Sequence, residues 1–327
     1  MGKISNLSHF IDITTPKVRS QILPKASVDD LKEKLQPMVV DREGIECFNL
    51  GDLWNCYDEW SVYGVGCPFV DYFSPDRISI QYFIPYLSAI QIYTDKIIPI
   101  IQRRDNMTMD GEFESLKSSS FSSESEEEED DKYYLLSRSS SSSNSDRTWD
   151  MNMMMDDSSK KHLGQLYFQY FERDIPFGRV PLKDKIDVLA KDYPHLNSLN
   201  SIDLSPASWM AVAWYPIYNI PASRNSKDSY AAFLTYHILS SCFQVEKDDV
   251  DEIKEMEVNC QEESDRISLD PFGISTYRMQ AKAWLNSKGG LDHEKVGLLK
   301  SAADSWLKQL RVQHPDFNFF NSHSSRF

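Results

Sequence analysis

None of the common catalytic motifs occurs in this chain of 327 residues. G-x-S-x-G, H-E-x-x-H, Walker A and G-x-G-x-x-G are all missing, so nothing supports a nucleophile elbow, a zincin helix, a P-loop or a dinucleotide turn. The histidines show no metal-ligand spacing with cysteines or carboxylates, and neither a metal nor another cofactor is expected. Cysteine is scarce. Cys47, Cys56, Cys67, Cys242 and Cys260 are odd in number and form no C-x-x-C pair, which fits free thiols in a reducing compartment better than a disulfide framework. No run of about 20 consecutive apolar residues offers a membrane span. No signal peptide is visible, and Asn6 stands where a myristoylation signal wants Ser or Thr. Cytoplasm or nucleus is the expectation, with no membrane partner.

An excess of basic charge is also lacking. The net charge is −15, and it is localised. Glu124–Asp131 holds seven acids and no base, and Glu246–Asp265 holds ten acids against Lys247 and Lys254. These segments contribute −7 and −8, which sum to the whole −15 and leave the remainder formally neutral. A neutral remainder argues against a broad nucleic-acid footprint. Residues 102–161 combine serine runs, the first acid run and the cluster Met151, Met153, Met154 and Met155. That composition cannot bury a core and reads as a disordered insertion. A core domain therefore runs over 1–101 and resumes over 162–327, where a second acidic loop covers 246–265.

The chain is organised around Asp203–Pro221, DLSPASWMAVAWYPIYNIP. Met210, Val212 and Trp214 alternate with Ala211, Ala213 and Tyr215, a period of two that predicts a strand from about Trp209. Its large face differs from its alanine face, over which a helix can pack closely. Pro216 and Pro221 predict an edge or a bend near its end. Ala231–Ser240 reads as a central strand, Ile78–Tyr82 as a strand with one wet face, and Leu87–Tyr93 as its bent continuation. Helical spacing predicts helices at Ser27–Gln36, from Asp52 to Tyr63, over Leu163–Phe171, after Pro181, and from Ser301 to a stop at Pro315. The bare G-x-G at Gly64–Gly66 reads as a helix-ending turn. Together these predict an α+β domain, with a mostly antiparallel aromatic-rich sheet and packed helices, interrupted by two acidic disordered insertions.

Several blocks carry a family resemblance. They include SNLSHFI (5–11), FNLGDLWNCYDEWSVYGVGCP (48–68), QYFIPYLSAIQIY (81–93), LYFQYFERDIPFGRVPLKDKIDVLA (166–190), SIDLSPASWMAVAWYPIYNIP (201–221), FLTYHILS (233–240) and HPDFNFF (314–320). The chain resembles the plant domain-of-unknown-function family 789. The resemblance implies one discontinuous domain, a plant source and an intracellular protein. It implies no activity.

Candidate functional residues are few. Asp52 and Glu59 are seven apart on the expected helix, and His237 follows Tyr236 in an expected central strand, on the side of Phe233 and Thr235. A carboxylate-oriented histidine or a carboxylate pair would suit a hydrolase or transferase. The plainer readings are a helix cap for Asp52, a solvent residue for Glu59 and a hydrogen-bonded core histidine for His237. Arg173 and Arg179 flank a proline turn and could clamp an anion, or simply pair with Glu172 or Asp174. Trp54, Trp60 and Tyr63 are candidate binding aromatics. Ser123 and Ser125 each precede an acid by three positions, which suits acid-directed phosphorylation. These features favour a non-enzymatic interaction or regulatory module with protein partners and a phosphorylatable linker. The alternative is an unrecognised hydrolase or transferase using Asp52, Glu59 or His237.

Overall fold

The computed structural model describes residues 4–24, 44–70, 78–94, 163–220, 230–241, 265–286 and 291–322. Residues 1–102 and 161–327 belong to one compact unit. The expected helix at Ser27–Gln36, the insertion with Ser123 and Ser125, and the second acidic segment except Asp265 lie outside the described residues.

In chain order the elements are helix α1 (Asn6–Thr14), strands β1 (Lys17–Arg19), β2 (Gln21–Pro24) and β3 (Gly44–Cys47), and helices α2 (Leu50–Asn55) and α3 (Asp58–Tyr63). Strands β4 (Val65–Val70), β5 (Ile78–Thr94) and β6 (Gln165–Phe171) follow, then helix α4 (Leu182–Asp192) and strands β7 (Trp209–Ile220), β8 (Ala232–Ile238), β9 (Arg266–Ser268) and β10 (Gly273–Tyr277). Helices α5 (Ala281–Trp284), α6 (Leu291–Gln309) and α7 (Pro315–Ser322) close the set. The architecture is α+β and every described strand pair is antiparallel.

The main sheet runs β10-β8-β7-β5-β4, with β6 also on β5. Strand β5 is 17 residues long, and its β-branched and aromatic alternation explains why it stays extended. One edge carries β4 up to Phe83 and β6 from Ala89 onward, so residues 84–88 face a notch on that side. Pro85 lies in this notch, where a strand can spare a donor. On β7, pairing to β8 ends at Trp214, so Pro216 stands on a one-sided stretch, as its chemistry requires.

The two sides of β7 bury different layers. Met210, Val212 and Trp214 join Phe10, Phe83, Phe233 and Trp284 under α1 to α5. Phe10 is the hub of that layer, stacked on Phe233 at 4.1 Å and edge-on to Phe83 at 5.1 Å. Ala211 and Ala213 lie in the other layer, with Ala303 and Leu307 of α6 and Phe317 and Phe320 of α7. Small residues let α6 approach closely. A Cβ on Gly273 of β10 would come within 2.8 Å of the Ala303 Cβ.

The structure corrects several helix expectations. Leu163–Phe171 is mainly strand β6, because its aromatic run pairs with β5. The segment from Asp52 to Tyr63 is two short helices, broken at Cys56–Tyr57. Helix α6 starts at Leu291, ten residues before Ser301, and Pro315 opens α7 instead of only ending the helix before it.

Candidate functional site

His237 is buried on the aromatic side, and both ring nitrogens are used. A carbonyl only accepts, so Nδ1–H donates to the Leu269 oxygen at 2.8 Å. Nε2 therefore accepts from the Thr235 hydroxyl at 2.9 Å, and that hydroxyl accepts from Trp214 Nε1–H at 3.0 Å. Burial lowers the His237 pKa to about 4, so the ring is neutral at pH 7.

Asp52 is half-buried in α2, whose cap is Asn49: its Oδ1 accepts from Gly51 N–H at 2.8 Å. Glu59 is exposed in the first turn of α3. Trp54 is buried and donates Nε1–H to the Leu196 carbonyl at 2.7 Å. Trp60 is half-buried against Tyr57 and Trp214, and Tyr63 is on the surface. The described thiols are quiet nucleophiles: burial pushes Cys56 up to about 11 and Cys67 up to about 12. Among the described residues no group of three or more His, Cys, Asp or Glu is placed to hold a metal ion.

The cluster that sequence spacing could not reveal lies on the alanine side. It starts from a bulge in β5. Leu87 pairs with Val212 and Ala89 with Ala211, so Ser88 is an extra residue in the ladder. A bulge of this kind re-aims a side chain. The Ser88 oxygen lies 2.8 Å from His314 Nε2 and its hydroxyl donates to Asp316 Oδ2 at 2.5 Å. Tyr236 of β8 meets His314 Nδ1 at 2.8 Å. Arg179 grips Asp316 with two bonds of 2.7 Å, one from each terminal nitrogen.

Proton accounting fixes the direction. Ser88 has one hydrogen and gives it to the carboxylate, so His314 Nε2–H must donate to Ser88 Oγ. Nδ1 then accepts from Tyr236. Burial, aided by the Arg179 charge, lowers the His314 pKa to about 4 although Asp316 opposes the shift. The ring is neutral at pH 7 and the Arg179–Asp316 charges cancel. In a catalytic triad the histidine takes the serine proton and the acid holds the far histidine nitrogen. Here the acid takes the serine proton itself, and a tyrosine holds the far nitrogen. Ser88, His314 and Tyr236 are all buried. The geometry suits a clamp that ties α7 to β5 and β8. In it His314 has no open nitrogen lone pair to take the serine proton.

The same clamp mounts a loop in the β5 notch. Arg179 also donates Nε–H to the Asp174 carbonyl at 2.8 Å. At the other end Glu172 is buried. Its Oε1 accepts from the N–H groups of Arg173 and Asp174 at 2.9 and 3.0 Å, and its Oε2 accepts from the Tyr170 hydroxyl at 2.7 Å. Burial would raise the Glu172 pKa, but these donors and Lys185 hold it below its usual value. Between the two anchors a single 3₁₀ turn, Pro176–Gly178, shows its side chains outward. Phe177 is 99% exposed, and Ile175 and Val180 are also exposed. Arg173 is exposed as well, while the Arg179 side chain is only 4% exposed and belongs to Asp316, so these two arginines do not form a joint clamp. Arg179 thus takes neither acid that its spacing suggested, Glu172 or Asp174, as its ion-pair partner.

No helix among the described residues is long and apolar enough to cross a membrane. No curated protein and no solved structure matches the chain. A family model does match, over residues 5–320, a span that includes the bulge, the anchored loop and the whole Ser88–His314–Asp316–Arg179–Tyr236 cluster. By that match the chain belongs to the family described as protein of unknown function (DUF789).

Proposed function

We propose that the protein is a non-enzymatic interaction or regulatory module of the cytoplasm or nucleus, and that it engages protein partners through the loop 173–181. The observation that carries this reading is Phe177, 99% exposed on a backbone held at both ends by buried ionic groups. A fully exposed phenyl ring adds nothing to the core. A rigid mount lowers the entropy cost of presenting it to a pocket, which is how aromatic anchors become binding hot spots. Ser123 and Ser125 in the acidic insertion supply candidate phosphorylation sites for regulating the module. The hydrolase or transferase alternative gains no support from His237, whose two nitrogens are taken by Leu269 and Thr235.

The test compares partners enriched from cells that produce the full chain, either wild type or Phe177→Ala, with Tyr63→Ala as a surface control. Phe177→Ala should change stability by less than about 0.5 kcal/mol, as surface changes do. It should also remove a reproducible subset of partners that Tyr63→Ala retains. Identical partner sets for all three proteins would end this proposal.

A further inference from the structure

The surroundings of the loop 173–181 carry a charge pattern that a partner has to match. Glu172 ties the loop to α4: one carboxylate oxygen accepts from the Asp174 N–H at 3.0 Å, and the other lies 3.3 Å from Lys185 Nζ. The start of the loop therefore lies beside the first turn of α4, where Asp184 is exposed. Helix α3 joins them, because Ser61 Oγ accepts from the Lys183 N–H at 3.1 Å. Asp58, also exposed, stands one turn before Ser61 on the same helix. The segments outside the described residues leave the strands around the notch at their far ends, after Val70, Thr94 and Ile220.

The neighbouring bases are engaged and these acids are not. Arg179 holds Asp316, Lys185 holds Glu172, and Lys183 holds both oxygens of Asp187 at 2.7 Å. Among the described residues, Asp58, Asp174 and Asp184 make no ion pair. Arg173 is the one exposed base of the loop itself. The apolar tip formed by Ile175, Phe177 and Val180 is thus bordered by three unpaired carboxylates.

We infer that this loop docks a cationic, apolar peptide segment of a partner, whose apolar side chains receive Phe177 while its lysines or arginines face Asp58, Asp174 and Asp184. The inference rests on the reading of Phe177 as a docking anchor. Phe177 supplies contact area but no preference among apolar pockets, and the carboxylate border supplies the preference. The net charge of −15 acts in the same sense at long range, drawing cations in and holding anions off. The same border separates this loop from a membrane-inserting tip. Anionic headgroups attract basic residues and repel unpaired carboxylates.

The experiment selects random peptides displayed on phage against the full chain, then titrates the synthesised peptides by fluorescence anisotropy. Phe177→Ala should weaken the selected peptides about tenfold or more. Those peptides should be richer in Lys and Arg than the unselected library. Their affinity should fall as ionic strength rises from about 0.1 to about 1 M, which shortens the Debye length from about 10 to about 3 Å. Asp174→Asn combined with Asp184→Asn should weaken binding about fivefold, and glutamate at both positions should restore it. All variants change exposed side chains and should keep the wild-type melting transition. Phe177-dependent peptides that lack basic residues, or that ignore salt, overturn the inference and leave the docking role of Phe177 standing. A selection that yields no Phe177-dependent peptide overturns both. Phe177-dependent sedimentation with phosphatidylserine vesicles overturns the inference in favour of a lipid surface.

Discussion

Each side of the sheet buries one histidine, by different means. On the aromatic side, Trp214, Thr235, His237 and Leu269 form a neutral chain drawn from β7, β8 and the residue after β9. On the alanine side, Tyr236, His314, Ser88, Asp316 and Arg179 form a chain that ends in an ion pair and joins residues up to 228 positions apart. Both rings are neutral and their donors and acceptors satisfied. A histidine in a core is thus no sign of chemistry when its hydrogen bonds close on themselves. The difference between the chains is what each one holds. The first fastens the sheet to the β9–β10 connection, and the second fastens α7 and a surface loop to a bulged strand.

The contrast is open to direct attack, beginning with the charged chain. Asp316→Ala leaves the Arg179 guanidinium buried and unpaired, and should cost about 3–5 kcal/mol in urea unfolding. The double change Arg179→Met with Asp316→Leu should regain most of that loss. If the double change stays as unstable as the single one, the pair does more than cancel its own charges.

Acid should strike both sides alike. Each histidine pKa falls from an ordinary value near 6.5 to about 4 in the folded protein. The unfolded chain therefore takes up these protons first. Stability is full above about pH 6.5 and is lost as pH falls towards 4, by up to about 3 kcal/mol per histidine. Glu172, whose folded pKa is lowered, adds a loss in the same direction at still lower pH. His237→Gln and His314→Gln should each flatten one share of the slope between pH 6.5 and 4. A wild-type stability that is level over that range would contradict the buried neutral rings.

The neutral chain should respond least. Thr235→Val strands the Trp214 Nε1–H and the His237 Nε2 without partners, for a loss of about 1–3 kcal/mol in the same urea measurement. A loss as large as that of Asp316→Ala would erase the distinction between the two chains.

Much of the sheet was legible because it is local. The alternation from Trp209 to Tyr215 sets the faces of β7, and the same rule separates His237 from Tyr236. Pro216 marks the one-sided end of β7. Helix starts were less legible. Leu163, Leu166, Tyr167, Tyr170 and Phe171 fit a helical stripe, yet the same aromatics pair along β5, and tertiary pairing overrode the local period. The clamp was hidden for a different reason. Ser88 reaches it only through a bulge, and a bulge is a property of two strands together. Its other members come from the 173–181 loop, β8, α7 and the residue just before α7. One signal was within reach: His314 and Asp316 share the HPDFNFF block that carries the family resemblance, and a histidine two positions before an acid invites a search for partners.

Strands β5 and β6 pair as neighbours, yet residues 95–164 separate them, 70 positions where a hairpin needs only a few. Chain entropy makes this inexpensive. The entropy of closing a chain segment grows only with the logarithm of its length, so by that scaling growth from about 5 to 70 residues adds only about 2 kcal/mol, and each further doubling about 0.6. The β5–β6 junction is therefore a place where the chain can gain or lose serine and acid repeats with little effect on the sheet that carries them. The sequence between β5 and β6 can thus vary in length while the clamp stays fixed, and selection can act on one without retuning the other.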